Sequence, residues 1–234
     1  MTRITIPSRF RGPTTSGNGG YVCGLVAGFV DGDAEVTLRS PPPLDVPLDV
    51  EHGPDGVIRL LGGETLVAEG VPIDPWEHDI PTAPTREEAA EATTRYAGFE
   101  RHAFPECFVC GHHRLPGDGL RILAGPVAGR ELVASPWLPE GDLPEAEGVL
   151  APEIVWAALD CPGAWAVERQ AEDRPVVLGR MAARILREVT VAGRYVAAGW
   201  PVAAEGRKLF SGTALYDEGG TPVATARQIW IVLA

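Results

Sequence analysis

The sequence predicts an α+β fold of two modules, each a central helix wrapped by an antiparallel sheet. Three observations lead there. The 234 residues include 22 prolines and 28 glycines, a density of turn formers that suits short antiparallel strands better than a helical bundle. Residues 150–167 carry Ile154, Val155, Trp156, Ala157, Ala158 and Leu159 in succession, and a helix with no solvated face is one that its own domain surrounds. The order of a helix followed by an antiparallel meander occurs in both halves. Their closing hairpins, LLGGETLVAEG and ALYDEGGTPVATAR, place a strand, a glycine turn and a Val-Ala run in the same sequence, which points to an internal duplication.

In chain order, residues 2–11 read as a short first strand. Ser16 or Asn18 is placed to cap a glycine-weakened helix over residues 21–29, which Asp31-Gly32-Asp33 ends. Residues 35–39 alternate as a strand, Pro41-Pro42-Pro43 interrupts it at an edge, and residues 46–50 resume it. Residues 56–61 and 65–70 flank Gly62-Gly63 as a hairpin. The first module is thus residues 1–84. Thr85-Arg86-Glu87-Glu88 is a capping box that opens a polar helix to about residue 97, and residues 85–98 read as a linker. The second module, 99–234, holds strands at 119–123 and 130–135, the central helix, strands at 176–191 and 195–202, and a final hairpin of 209–216 with 222–232.

The totals exclude several function classes. A net charge of −12 and a pI near 4.9 provide no basic stripe for nucleic acid. No apolar run reaches membrane-spanning length and the first twenty residues contain no signal-peptide core, so a cytoplasmic protein without a membrane partner is expected. Four cysteines, Cys23, Cys107, Cys110 and Cys161, are too scattered for a disulfide scaffold. Serine-triad, P-loop and dinucleotide motifs have no supporting context.

One carboxylate, Asp160, interrupts the apolar central helix, followed by Cys161 and Pro162. An acid goes inside with a partner or a task, and Pro162 withholds an N–H from the carbonyl of Ala158, so a kinked or loosened turn is expected beside it. Asp160 is therefore either an active-site acid or the brace of that turn.

One helix wrapped by a long antiparallel sheet, twice in one chain, resembles the double hotdog proteins, a superfamily containing acyl-CoA thioesterases and hydratases. Many of those thioesterases open the central helix with His-Gly-Gly or Asn-Gly-Gly and carry an acid about two turns later in a Leu-x-Asp context. Here the two parts stand in different halves. Asn18-Gly19-Gly20 matches the helix start, with Ala27 where the acid would fall; Ala158-Leu159-Asp160 matches the acid end, with Ala151-Pro152-Glu153 at the helix start. The runs HAFPECFVCG, GDGLRI and VWAALDCPGAW resemble, more narrowly, a group of actinobacterial thioesterase-like proteins.

The resemblance implies one composite site, Asn18, Gly19 and Gly20 facing Asp160. Gly19 or Gly20 would donate to a thioester oxyanion from the helix N-terminus, Asp160 would act as nucleophile or as general base for water, and Asn18 would orient the water or the carbonyl. The opposite pairing, Ala27 with Ala151 and Pro152, lacks both acid and donor. The implied activity is hydrolysis of an acyl-CoA or acyl-carrier-protein thioester without a cofactor, in a homodimer; the alternatives are a non-catalytic acyl-thioester binder and a hydratase. Arg180 and Arg184 are the candidates for a coenzyme A phosphate, with ordinary ion pairs as the other reading. Cys107 and Cys110, with His112, His113 and perhaps His102, form half a zinc signature; no second Cys-x-x-Cys or finger-spaced histidine pair completes it, so small apolar cysteines in a tight loop, without metal, are expected.

Overall fold

The computed structural model describes residues 2–172 and 174–233. The first half runs β1 (Thr2–Thr5), α1 (Gly19–Ala27), β2 (Ala34–Leu38), β3 (Pro47–His52), β4 (Ile58–Gly62) and β5 (Thr65–Pro72). Next come α2 (Arg86–Thr93), β6 (Gly125–Pro126), β7 (Val133–Trp137), and the pair β8 (Glu145–Ala146) and β9 (Val149–Leu150). The rest is α3 (Pro152–Ala166), β10 (Val176–Ile185), β11 (Tyr195–Glu205), β12 (Lys208–Tyr216) and β13 (Pro222–Val232).

Among the described residues, eleven strands form one sheet in the order β1-β3-β4-β5-β2-β10-β13-β12-β11-β7-β6. That order is a duplication written in strands. In each half a helix is followed by four strands laid out first-fourth-third-second from the middle of the sheet, and the strand preceding the helix lies outside them: β1 beside β3, β7 beside β11. The halves join antiparallel through β2 and β10, with Thr37 opposite Arg180 and Val36 opposite Met181.

Both helices lie on one face of the sheet and against each other. Asn18 caps α1 by accepting from the Tyr21 N–H, and α3 begins with Pro152 in its first turn, where the missing N–H costs no helical bond. Close approach depends on two glycines four residues apart. A Cβ on Gly20 would lie 2.6 Å from Asp160 Cβ, and one on Gly24 2.6 Å from Glu153 Cα, so backbone meets backbone where the helices cross. Val22, Cys23 and Val26 of α1 and Ile154 to Leu159 of α3 are buried in the main core. α3 continues through Pro162. Gln228 Nε2, reaching up from β13, donates to the carbonyls of Leu159 (2.8 Å) and Asp160 (3.2 Å) and holds the turn that the proline weakens.

Some expected elements differ. The helix at 86–93 is more than a linker: Ala89 and Ala92 are buried against Val127, Leu132, Ala134, Val196, Ala198 and Trp200, on the face of the sheet opposite α1 and α3. Its two alanines allow so close a docking that a Cβ on Gly125 would overlap the Ala92 carbonyl. Residues 119–123 form no strand. Arg121 has φ 51°, outside extended geometry, and the amides of Leu120 and Ile122 bond instead to the carbonyls of Phe108 and Val109 in the irregular Cys107–Cys110 loop. β10 stops at Ile185, so residues 186–191 are loop.

Candidate active site at the module interface

The start of α1 and the middle of α3 meet at one buried pair. Asn18 and Asp160, 142 residues apart in sequence, are each 2% exposed, and Asn18 Nδ2 donates to Asp160 Oδ2 at 2.7 Å. Asn18 is fully engaged, since its Oδ1 accepts the Tyr21 N–H at 2.9 Å. Its amide therefore cannot rotate away from the carboxylate without uncapping the helix. Asp160 Oδ1 is buried and, among the described residues, makes no hydrogen bond of ordinary geometry. Burial, reinforced by the Cys107 thiol, pushes the Asp160 carboxyl up to about 7, against the Gly20 N–H and the Asn18 amide, which favour the ion. An acid so placed exchanges a proton near neutrality.

The pair lines a cavity of about 730 Å³ between the halves, the size range of small-molecule sites. Gly19, Leu38, Trp165, Leu178 and Trp230 contribute to its wall, with Arg39, Arg101 and Arg174 also on the lining. The two glycines divide their work. Gly20 faces α3, where a Cβ would strike Asp160 and the Trp156 carbonyl. Gly19 faces the cavity, and as the first residue of α1 its N–H has no acceptor within the helix.

The Cys107–Cys110 loop forms the neighbouring wall. The Phe108 N–H donates to the Arg11 carbonyl at 2.7 Å and ties it to the first module. Cys107 Sγ lies 3.7 Å from Cys161 Sγ and 3.9 Å from Asn18 Nδ2, and the Sγ atoms of Cys107, Cys110 and Cys161 all fall within 4.8 Å of one another. Hydrogen bonding from Cys110 and Cys161 pulls the Cys107 thiol well down. Burial pushes Cys110 up, and the bonds given to Cys107 and Cys110 push Cys161 up. The residue that joins Cys107 and Cys110 is Cys161, and neither His112 nor His113 stands within the group. His112 instead packs its ring against Phe99 and His113.

Arg180 and Arg184 stand elsewhere. Arg180 pairs with Glu35 at 3.2 Å and donates to Thr37 Oγ1. Arg184 pairs with Asp33 at 3.1 Å and donates to the Trp76 carbonyl. Their strand runs along the seam, where acids of the first half meet them. Neither is on the lining of the large cavity, and Arg184 lines a smaller one of about 410 Å³ with Ala27, Pro152 and Trp156.

Gln228 escapes the sequence reading, and His102, grouped there with the cysteines, takes a definite place in the structure. Gln228 sits at an inward position of β13, alternating with Ala226 and Trp230, and its Oε1 accepts from Ser211 Oγ (2.9 Å) and Trp230 Nε1 (3.2 Å). The available signal was a polar residue in the core-facing series of a strand. His102 also lines the cavity; its Nδ1 accepts the Phe104 N–H at 3.0 Å and its Nε2 lies 3.4 Å from Cys110 Sγ. Only the fold brings it to Cys110.

Comparison with solved structures places this architecture. Over 99% of this chain and 92% of the other, it is similar to a conserved protein of unknown function with a hot dog fold from Alicyclobacillus acidocaldarius (TM-score 0.64, 9% identity). With the same coverage it is similar to a putative thioesterase II from Thermobifida fusca (0.62, 13%) and an acyl-CoA thioesterase II from Mycobacterium marinum (0.60, 15%). No protein-family model and no curated protein sequence matches. The fold is a double hotdog: two helix-and-sheet modules sharing one continuous sheet. Among the described residues no helix is long and apolar enough to cross a membrane.

Proposed function

We propose that this chain hydrolyses an acyl thioester, carried by coenzyme A or an acyl-carrier protein, at the composite site between its halves. The observation that carries the reading is the 2.7 Å bond from Asn18 to Asp160 across the module boundary, which leaves Asp160 Oδ1 buried, without a hydrogen bond of ordinary geometry among the described residues, and beside an acyl-sized cavity. A carboxylate oxygen of this kind suits an incoming water or a thioester carbonyl carbon. As general base, Asp160 takes a proton from water as the water oxygen bonds to the carbonyl carbon; the C–S bond then breaks and the thiol leaves with a proton. As nucleophile, the same oxygen bonds to the carbonyl carbon as the C–S bond breaks and the thiolate leaves to take a proton from water; a water then opens the anhydride, releasing the acid and restoring the Asp160 carboxylate. In either course the Gly19 N–H, at the positive end of α1, stabilises the oxyanion. Asn18 holds the carboxylate in place.

Leu178, Trp165 and Trp230 suit an acyl chain, and Arg39, Arg101 and Arg174, paired with Glu69, Glu168 and Glu172, stand on the same lining, where Arg180 and Arg184 do not, and suit an anionic carrier by that position. The thioesterases of the same fold support this class of substrate. The reading places the enzyme in the cytoplasm, as a homodimer formed through the outer strands of the sheet; sedimentation would show a single species at twice the chain mass, and a monomer would remove that part.

The test is thiol release from short, long and aromatic acyl-CoAs, comparing wild type with Asp160→Asn. Release that collapses in the folded variant supports the site. Binding without release in wild type makes the protein an acyl-thioester binder, and equal release in both proteins removes Asp160 from the chemistry.

A further inference from the structure

Three of the four cysteines converge from two distant segments. Cys107 and Cys110 come from the loop that Gly111 closes, its N–H on the Cys107 carbonyl at 2.9 Å, and Cys161 comes from α3. All three are buried and free. A tetrahedral zinc with Zn–S bonds of about 2.3 Å sets its sulfurs about 3.8 Å apart. Cys107 and Cys161 stand at 3.7 Å, and the whole trio within 4.8 Å. A Cys-x-x-Cys loop plus one ligand from elsewhere is also how thiolate metal sites are assembled.

The surroundings supply donors suited to thiolate sulfur. Asn18 Nδ2 lies 3.9 Å from Cys107 Sγ. The buried Trp165 Nε1 makes no hydrogen bond among the described residues and lies on the same cavity lining as the three cysteines. His102 accepts the Phe104 N–H on Nδ1, so the ring proton resides on Nε2, between the Cys110 carbonyl at 3.3 Å and Cys110 Sγ at 3.4 Å. In that tautomer His102 is a donor to a thiolate rather than a metal ligand. Such donors are the usual outer partners of a metal-bound sulfur. Two cysteines would suffice for a disulfide; a third sulfur drawn to the same place, all three within 4.8 Å of one another, asks for a cation.

We propose that Cys107, Cys110 and Cys161 bind one thiophilic divalent cation of the zinc class, with the fourth position open to the acyl cavity that all three cysteines line. The site stands on its own geometry and does not depend on thioester hydrolysis.

The experiment titrates the full, reduced, metal-free chain with Co²⁺. A thiolate-to-cobalt charge-transfer band that saturates at one ion per chain and is displaced by Zn²⁺ is expected; its absence from wild type overturns the proposal without recourse to any variant. Cys161→Ser and Cys107→Ser should abolish the band with the helix and sheet circular dichroism intact, and Cys23→Ser should keep it. His102→Ala should keep the stoichiometry and weaken binding roughly 10-fold to 100-fold; loss as complete as in Cys161→Ser would mean a closed four-ligand site and refute the open position. Formation of a Cys107–Cys161 disulfide in the zinc-saturated protein would also overturn it. A cobalt band without thioester release removes the proposed hydrolysis and leaves this site standing. Release without the band does the reverse.

Discussion

The duplicated fold builds two equivalent mouths, and only one is furnished. At the first, the start of α1 faces the middle of α3, with Asn18 capping, Gly19 presenting an N–H and Asp160 supplying the acid. At the second, the start of α3 faces the end of α1. Ala151 caps nothing with its side chain, Pro152 has no N–H, and Ala27 lies where an acid would match Asp160. The cavities differ in the same sense, about 730 Å³ against about 410 Å³. Pseudo-symmetry of backbone thus carries no symmetry of chemistry. On the proposed reading, the helix start that serves as a site is the one where cap, first amide and facing acid stand together.

The sharpest break of the comparison is Asp160→Asn, which preserves shape and removes the charge. Thioester release should fall by about 10³-fold with the thermal midpoint largely retained, as thiol release and calorimetry would report. Next is Gly20→Ala, whose methyl would lie 2.6 Å from Asp160 Cβ and 2.7 Å from the Trp156 carbonyl. Urea unfolding should show a loss of about 2–3 kcal/mol. The same substitution at Gly28, where the nearest atom is 3.5 Å away and the backbone is right-handed helical, should change stability by less than about 1 kcal/mol. Asn18→Ala removes both the cap and the hold on Asp160: about 1 kcal/mol of stability and about tenfold in turnover, with KM changed less than kcat. The smallest effect belongs to the second mouth. Ala27→Asp should leave turnover unchanged within about twofold, because Pro152 still offers no oxyanion donor; a second active mouth, visible as doubled release or as rescue of Asp160→Asn, would refute the asymmetry.

Much of this was legible in the sequence, for definable reasons. The capped start of α1 and the acid of α3 each have a local signature: a polar residue before two glycines, and a carboxylate inside an apolar helix. Their meeting is what the resemblance to double hotdog proteins implies, and the Asn18–Asp160 bond shows the two ends in contact. What escaped depends on contacts with no local trace. The polar face of the 86–93 helix concealed that Ala89 and Ala92 bury themselves against residues of β7 and β11. Arg121 breaks the strand expected at 119–123 by a single backbone angle. That Cys161 stands beside the Cys107–Cys110 loop also left no local trace, because it lies 54 residues beyond Cys107, in the helix that bears the acid. Arg180 and Arg184 follow the helix in sequence, yet their strand forms the seam, and acids of the first half take their charge.

The asymmetry itself is tested most directly by a crystal structure of the protein with a non-hydrolysable acyl-CoA thioether. The acyl chain should fill the larger cavity, with the group replacing the thioester carbonyl against the Gly19 N–H and next to Asp160 Oδ1. An acyl chain lodged instead between Ala27 and Pro152, or in both mouths alike, would contradict the assignment of function to the Asn18–Asp160 pair.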